Sequence, residues 1–306
     1  MGILENEQID PSVKLRYFGV FRLDVGPFFL PDFNTFIDAL YHSVKCVIGP
    51  TFKGRSYSLL DTSILFPPIQ VSGKPNIDLF EDILHNLDSI GEHAEQVSEY
   101  CRGYFNRIRG FAFSVGGSYI DQKEFRGLLR FLDILHDRCD FRLKNPAKAE
   151  ALGGNPKRRE EVLRLFRDLS RELIKGYVQM NERVFRVRNF NGLEGHLREM
   201  RSSDLFSGLY NGFRQVSEEL GNDRYKNPGD TDLFLLSAFL YLANLRIKPV
   251  FLFTGDHHLN ALMKYHDRVC NDCGIPTNSN SCFVYQSFVK KKDFAENRVI
   301  VRTHDL

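Results

Sequence analysis

Apolar residues occur along the chain in two patterns, as short continuous runs and as longer stretches with helical spacing. The short runs, bounded by Gly, Pro or polar residues, predict buried strands. They cover residues 57–60, 111–115, 250–253, 282–289 and 298–302. Phe111 to Val115 is followed directly by Gly116 and Gly117, which would end that strand.

Stretches with apolar residues three and four positions apart predict amphipathic helices. They cover residues 33–47 with Asn34 as N-cap, 78–109, a stretch capped by Ser118, 158–177, 205–220 and 232–245. Because strands alternate with helices, we expect an α/β fold with a mainly parallel central sheet flanked by helices. Residues 144–157 predict an exposed linker. The expected organisation is an N-terminal extension over 1–56 and an α/β domain over 57–306, with a largely helical insertion around 140–225.

Composition narrows the class of protein without naming a function. The chain has 306 residues, 42% hydrophobic and 26% charged, which argues against disorder along its whole length. Its formal net charge is only +2, so nucleic-acid binding would require a local basic patch. The sequence has no long apolar stretch, so we expect no membrane association. With no export signal recognised and six cysteines, the sequence predicts reduced thiols in the cytoplasm.

Aspartates follow two of the predicted strands and begin one apolar helix. Asp61 and Asp256 come after strands, and Asp230 and Asp232 lie at the helix start. In a parallel sheet the carboxyl ends of strands open on one edge, where active sites form. Gathered carboxylates favour a bound cation, and oxygen ligands select Mg²⁺ or Mn²⁺. Taken singly, each aspartate could instead be a turn residue or a helix cap.

Three segments carry a family resemblance when taken in order. LLDTSILF, GDTDLFLLSAFLYLA and VFLFTGDHHL resemble the opening, the later and the closing segments of a PIN domain. The resemblance implies a Mg²⁺- or Mn²⁺-dependent nuclease, acting mostly on RNA. It also implies that the metal-site acids are Asp61, Asp256 and one or both of Asp230 and Asp232.

The same resemblance implies a middle acid early in a helix after the second strand. Glu124 is the best candidate and completes the expected catalytic set, with Asp121 next. Glu95 and Glu99, in the preceding helix, fit that layout less well. The long interval between Asp61 and Asp230 departs from small PIN domains and implies the helical insertion.

Four further residues are candidates for substrate binding. Thr254 would hydrogen-bond an acid or a metal-bound water, and His257 follows Asp256 and would contact phosphate. Arg164 and Arg167 lie on a basic helix that would hold RNA phosphates. The alternative for that helix, which the charge pattern favours, is an ordinary surface whose acids pair with its arginines.

The cysteines and the remaining motifs add little chemistry. Cys270 and Cys273 form one C-x2-C pair near Cys282 and His266, and without a second pair free thiols are a better interpretation than zinc. The chain has no P-loop, GxGxxG, GxSxG or HExxH motif.

A metal-dependent ribonuclease is therefore the leading hypothesis. A non-catalytic PIN-like RNA-binding or scaffold protein is the alternative, and a phosphatase of the haloacid-dehalogenase type ranks below both, because Asp61-Thr62-Ser63 lacks the Asp-x-Asp which that family needs. RNA is the expected partner. The sequence leaves open a homo-oligomer or a protein partner.

Overall fold

The structure, a computed structural model, describes residues 13–21, 24–25, 28–30, 32–48, 56–67, 70–71, 93–115, 118–147, 155–185, 193–221, 229–276, 281–291 and 294–304. The strands are β1 (Val13–Phe21), β2 (Asp24–Val25), β3 (Phe28–Phe29), β4 (Tyr57–Leu60), β5 (Gln70–Val71), β6 (Ser118–Ile120), β7 (Val250–Thr254), β8 (Ser281–Lys291) and β9 (Phe294–His304). The helices are α1 (Phe33–Ile48), α2 (Ala94–Val115), α3 (Gln122–Lys144), α4 (Pro156–Met180), α5 (Leu193–Met200), α6 (Asp204–Leu220), α7 (Asp230–Asn244), α8 (His257–Met263) and α9 (His266–Asp272). A short 3₁₀ helix, Thr62–Leu65, follows β4, and a π-helical turn, Asn181–Phe185, follows α4.

The main sheet has six strands in the order β1-β9-β8-β7-β4-β6. Strands β6, β4, β7 and β8 are all parallel, which confirms the predicted α/β fold with a mainly parallel sheet. The hairpin partner β9 runs antiparallel to β8, and β1 pairs antiparallel with β9. A second, three-stranded sheet has the order β2-β3-β5.

Alternate residues of the central strands pack into two separate hydrophobic clusters, as expected for a sheet buried on both faces. Leu60 and Phe253 face a cluster built with α1 to α4. Leu59 and Leu252 face the other, built with α5 to α9. The molecule therefore has helices on both faces of the sheet, and the carboxyl ends of β4 and β7 lie side by side.

The segment before residue 57 contributes to these layers. Strand β1 forms the edge of the main sheet next to β9, and α1 packs against α2. Strand β1 was not predicted, because its partner lies at the other end of the chain and its own pattern is mixed. Among the described helices, none combines the length and the apolar composition needed to cross a membrane.

The prediction of a strand at residues 111–115 was wrong. These residues form the end of α2, where Ile108, Phe111, Ala112 and Val115 are buried at helical spacing. Phe113 lies on the outer side and is 39% exposed. A short apolar run does not distinguish a strand from a buried helix, and here the helical period of the preceding residues continues through the run.

Two predicted helix caps also differ from the structure. Ser118 belongs to β6, and the N-cap of α3 is Asp121, whose carboxylate accepts from the backbone N–H of Lys123 and Glu124. Asn34 lies inside α1, and its N–H donates to Asp32, one residue before the helix. In both cases an aspartate close by supplies the side-chain oxygen that the first turn needs.

The other predicted elements fall close to observed ones or outside the described residues. Residues 94–109 of the helix predicted at 78–109 lie in α2, whereas residues 72–92 are outside the described ranges. Helices α4, α6 and α7 match the predictions to within a few residues. Half of the predicted linker, residues 148–154, is also outside the described part, and its two ends lie at the end of α3 and the start of α4.

Candidate functional site

Asp61 follows β4 directly and is almost completely buried, at 4% exposure. Its Oδ2 accepts hydrogen bonds from Thr254 Oγ1 and Ser63 Oγ, both at 2.5 Å. Its backbone N–H donates to the carbonyl of Phe253 at 3.0 Å. The carboxylate is therefore fixed between the ends of two neighbouring parallel strands. Thr254 hydrogen-bonds an acid, as the sequence predicted.

The 3₁₀ helix after Asp61 is held from the far side by two tyrosines. Tyr104 from α2 donates its hydroxyl to the carbonyl of Ile64, and Tyr177 from α4 donates to the carbonyl of Leu65. Both tyrosines are fully buried. Because these contacts satisfy buried carbonyls, they set the path of the chain directly after Asp61.

Glu124 comes from a third element, the first turn of α3. Asp121 caps this helix, accepting from the N–H of Lys123 at 2.8 Å and of Glu124 at 3.1 Å. Thr62 Oγ1 donates to Glu124 Oε2 at 2.9 Å, which ties the glutamate to the residue after Asp61. The structure thus brings Glu124 to Asp61, while Asp121 is used as a cap.

The first turn of α7 separates the two remaining candidate aspartates. Asp232 is only 9% exposed, and its Oδ2 accepts from the N–H of Gly229 at 2.9 Å. Asp230 is exposed and accepts from the hydroxyl of Tyr210 at 3.2 Å. Of the two, Asp232 is the one that interacts electrostatically with Asp61, Glu124 and Asp256, whereas Asp230 lies at the surface.

Asp256 lies after β7 and caps α8, accepting from the N–H of His258 at 2.6 Å. Its Oδ1 lies 3.1 Å from His258 Nδ1 and 3.8 Å from His257 Nδ1. One potential ligand atom from each of Asp256, His257 and His258 lies within 4.8 Å of the other two. His258 is the more enclosed imidazole, with its side chain 18% exposed against 60% for His257.

Burial, together with repulsion among the carboxylates, raises the pKa of Asp61, Glu124 and Asp232. Burial, followed by repulsion from Asp256 and Asp61, raises the pKa of Asp232 to about 8. Burial and repulsion from Asp61 raise the pKa of Glu124 to about 7, although the Thr62 hydrogen bond acts in the opposite direction. Burial raises the pKa of Asp61, whereas its hydrogen bonds from Ser63 and Thr254 lower it.

The donor chemistry of this cluster fits a hard divalent cation. The potential ligands are all oxygen atoms. They are the carboxylates of Asp61, Glu124, Asp232 and Asp256, and the side chains bonded to them, Thr62 and Thr254, also carry oxygen. Within the described part of the chain, no lysine or arginine forms an ion pair with these four acids. Like charges that lack a cationic partner are the condition in which Mg²⁺ or Mn²⁺ binding is favourable.

Arg164 and Arg167 lie elsewhere. Helices α3 and α4 are antiparallel, because Gln122 bonds to Asn181 and His136 bonds to the carbonyl of Arg167. At 1.5 Å per residue, Arg167 lies about 20 Å along α4 from the end near α3's first turn. Both arginines also pair with neighbouring acids, Arg164 with Glu160 and Arg167 with Asp168. The structure does not bring them to the carboxylates.

The less favoured candidates for the middle acid lie outside this cluster, and so do the residues considered as zinc ligands. Glu95 and Glu99 are exposed on α2, and Glu95 faces Arg158. Cys270 and Cys273 are free thiols, and His266 Nδ1 contacts the carbonyl of Met263 at 2.9 Å. In the described ranges, the only group found with three close potential ligands is Asp256 with its two histidines.

Several residues that shape the site were not predicted from the sequence. Thr62 and Ser63 orient Glu124 and Asp61, and the hydroxyl of Ser63 also accepts from the N–H of Gly255 at 2.8 Å. Their position directly after a strand-ending aspartate was visible in the sequence. Tyr104 and Tyr177 gave no such indication, because only the packing of α2 and α4 brings them to this turn.

Comparison with known proteins found no similar protein. No family model, no curated protein and no solved structure matches the chain. The geometry of the acidic cluster and the sequence resemblance are therefore what a functional assignment rests on.

Proposed function

We propose that the protein is a metal-dependent nuclease of the PIN type that hydrolyses phosphodiester bonds, with RNA as its substrate. The observation that carries this proposal is the convergence of Asp61, Glu124, Asp232 and Asp256 from four separate elements. Acids that serve only as caps or turn residues have no reason to meet, and burying like charges together destabilises the fold without a ligand. The cluster is therefore best explained as a cation site.

The four carboxylates would hold Mg²⁺ or Mn²⁺. When bound, such an ion lowers the pKa of water and neutralises charge on a phosphate, which is the chemistry that phosphodiester hydrolysis requires. The protein's own part is to fix the ligands. Thr254 and Ser63 orient Asp61, Thr62 orients Glu124, and a backbone N–H orients Asp232. This arrangement supports preorganised binding, because the acids keep their positions through fixed hydrogen bonds.

His258 is the candidate for handling a proton. Its Nδ1 lies 3.1 Å from Asp256 Oδ1, so the carboxylate is close enough to orient the ring. An imidazole in that position can exchange a proton with a group bound at the acids. The sequence suggested His257 for contact with phosphate, and the present proposal assigns proton exchange to His258 instead.

A cleavage assay tests the proposal. Labelled single-stranded RNA should be cut in Mn²⁺ or Mg²⁺ and left intact in EDTA. Glu124→Gln should lower the rate at least tenfold, because it removes one ligand charge and keeps the shape. Asp133→Asn is the matched control, since Asp133 is an exposed acid on the same helix with no contact to the cluster. Equal rates for Glu124→Gln and wild type would reject the assignment of the middle acid.

The alternative, a non-catalytic RNA-binding or scaffold protein, predicts a different outcome. Wild type would then bind RNA and leave it uncut at every metal concentration. The presence of a middle acid at Glu124 favours catalysis over this alternative, because a cluster kept only for shape would not need a fourth repelling charge. Uncut RNA with metal demonstrably bound would reject the nuclease proposal.

A further inference from the structure

Four half-buried aromatic rings form a continuous patch beside the acidic cluster. We call Tyr119, Phe206, Tyr210 and Phe234 the aromatic patch. Phe206 lies 5.7 Å from Phe234 and 6.3 Å from Tyr210 between ring centroids. Tyr119, on the edge strand β6, lies 6.1 Å from Phe234. Their inner sides pack on the hydrophobic cluster, and each ring keeps part of its surface exposed.

One end of the patch lies beside Asp230 and the other lies beside the acidic cluster. Phe234 lies four residues after Asp230, on the same side of α7, and Tyr210 donates its hydroxyl to Asp230. At the other end, the Tyr119 hydroxyl interacts electrostatically with Asp121 and Glu124. A ligand lying on the patch would therefore extend to the mouth of the acidic cluster.

A cationic side chain accompanies the rings. Arg201, in the turn between α5 and α6, is exposed. Its positive charge interacts with the Tyr119 hydroxyl and opposes the rise in the pKa of that hydroxyl, which is caused mainly by burial. Among the described residues no carboxylate pairs with Arg201, in contrast to the arginines of α4. Its guanidinium is therefore available to an external anion.

We infer that the aromatic patch and Arg201 form a subsite for single-stranded RNA, in which unpaired bases stack on the rings while Arg201 contacts a phosphate. This inference rests on the proposed function, because it assigns the strand that the acidic cluster would cut. Exposed aromatic faces beside a free guanidinium are what sequence-tolerant binding of single strands requires. Packing of the hydrophobic core accounts for the inner sides of the rings and leaves their exposed faces and Arg201 unexplained.

Fluorescence anisotropy in EDTA measures binding without cleavage. We expect wild type to bind a labelled short oligouridylate more tightly than an abasic oligonucleotide of the same length, because only bases stack. Tyr210→Leu combined with Phe206→Leu keeps apolar volume and removes two rings, and it should weaken binding about tenfold. Tyr210→Phe keeps the ring and should bind as wild type does. Thermal melts of each variant verify that the fold is intact.

Arg201→Gln should also weaken binding and reduce its dependence on salt, because one phosphate contact is lost. Arg214→Gln is the control, since Arg214 is exposed on α6 and pairs with Glu218 away from the rings. Unchanged affinity in the ring and Arg201 variants, equal binding of the abasic strand, or no binding by wild type would each overturn the subsite. A wild type that binds through the patch and never cleaves would instead reject only the nuclease.

Discussion

Asp230 and Asp232 are separated by one residue, yet they occupy different environments. The helical turn points Asp232 inward, where it is 9% exposed, and leaves Asp230 at the surface against Tyr210. Successive residues of a helix differ in direction by about 100°, so two positions are enough to place side chains on opposite sides. The direction of each side chain from the helix therefore decides that Asp232, and not Asp230, belongs to the acidic cluster.

This difference predicts unequal effects of the same substitution. Asp232→Asn should abolish most of the thermal stabilisation that Mn²⁺ gives, because a charged ligand is lost while the Gly229 hydrogen bond survives. Asp230→Asn should retain most of it. Melting curves with and without Mn²⁺ measure both. An equal loss of stabilisation in the two variants would contradict the separation seen in the structure.

The raised pKa values predict how stability depends on pH without metal. Asp232 has a pKa of about 8 in the folded protein against 3.8 for the ordinary group, so the folded state binds more protons than the unfolded chain. The stabilising contribution is therefore complete at low pH and is lost as pH rises through about 8. We expect the free energy of unfolding in EDTA to fall by about 2 kcal/mol between about pH 5 and about pH 9.

Urea denaturation at several pH values measures this change. Asp232→Asn is the control, because asparagine does not titrate and the fall in stability should be smaller in that variant. Stability that rises over the same interval in wild type would show that the acids are not held in a shared, repelling cluster.

At the scale of elements, the first turn of α3 carries the middle acid and the cap that positions it. Asp121 accepts from two backbone N–H groups, including that of Glu124 itself. Thr62 then holds the glutamate side chain. Helix start, cap and acid thus form one local unit, anchored to the 3₁₀ helix after β4.

Loss of this cap should therefore affect both stability and function. Asp121→Ala should destabilise the protein by about 1 kcal/mol, as is typical of a lost N-cap, and should also lower the cleavage rate by releasing the first turn. Asp121→Asn keeps a capping oxygen and should restore both. Chemical denaturation and the RNA assay measure the two effects. An asparagine variant as impaired as the alanine variant would show that Asp121 acts through its charge.

At the scale of the whole molecule, the acids connect elements from both halves of the chain. Asp61 and Glu124 come from the first half, and Asp232 and Asp256 from the second. A cation held among them would link β4, α3, α7 and the end of β7. Because such an ion would bind the folded state only, it should stabilise the whole fold by mass action.

Metal should therefore stabilise wild type more than Asp61→Asn. At an ion concentration about 100-fold above Kd the expected stabilisation is about 2.7 kcal/mol. Without metal, Asp61→Asn should be as stable as wild type or more stable by about 1 kcal/mol, because removing one like charge offsets weakened hydrogen bonds. Thermal melts in EDTA and in Mn²⁺ measure this. A variant that melts far below wild type in EDTA would show that Asp61 is structural.

Local patterns in the sequence were sufficient for the alternation of elements and for most of the site acids. The runs before Asp61 and Asp256 are apolar on both faces, so they predicted buried parallel strands and placed these acids at one sheet edge. The expected α/β fold follows from this alternation. Glu124 was selected as an acid in the helix after a strand predicted at residues 111–115, which form the end of α2. It still lies near Asp61, because another strand, β6, directly precedes its helix.

Other features depended on contacts between distant residues, which no local pattern records. Strand β1 forms only by pairing with β9 near the other end of the chain, and β6 has too few residues for a periodic pattern. The choice of Asp232 over Asp230 required the direction of α7 relative to the sheet. The tyrosines that hold the turn after Asp61, and the separation of Arg164 and Arg167 from the acids, follow from the packing of α2, α3 and α4. The sequence thus determined which residue types could bind a cation, whereas tertiary packing decided which of them meet, because burial and repulsion act only between side chains that the fold brings together.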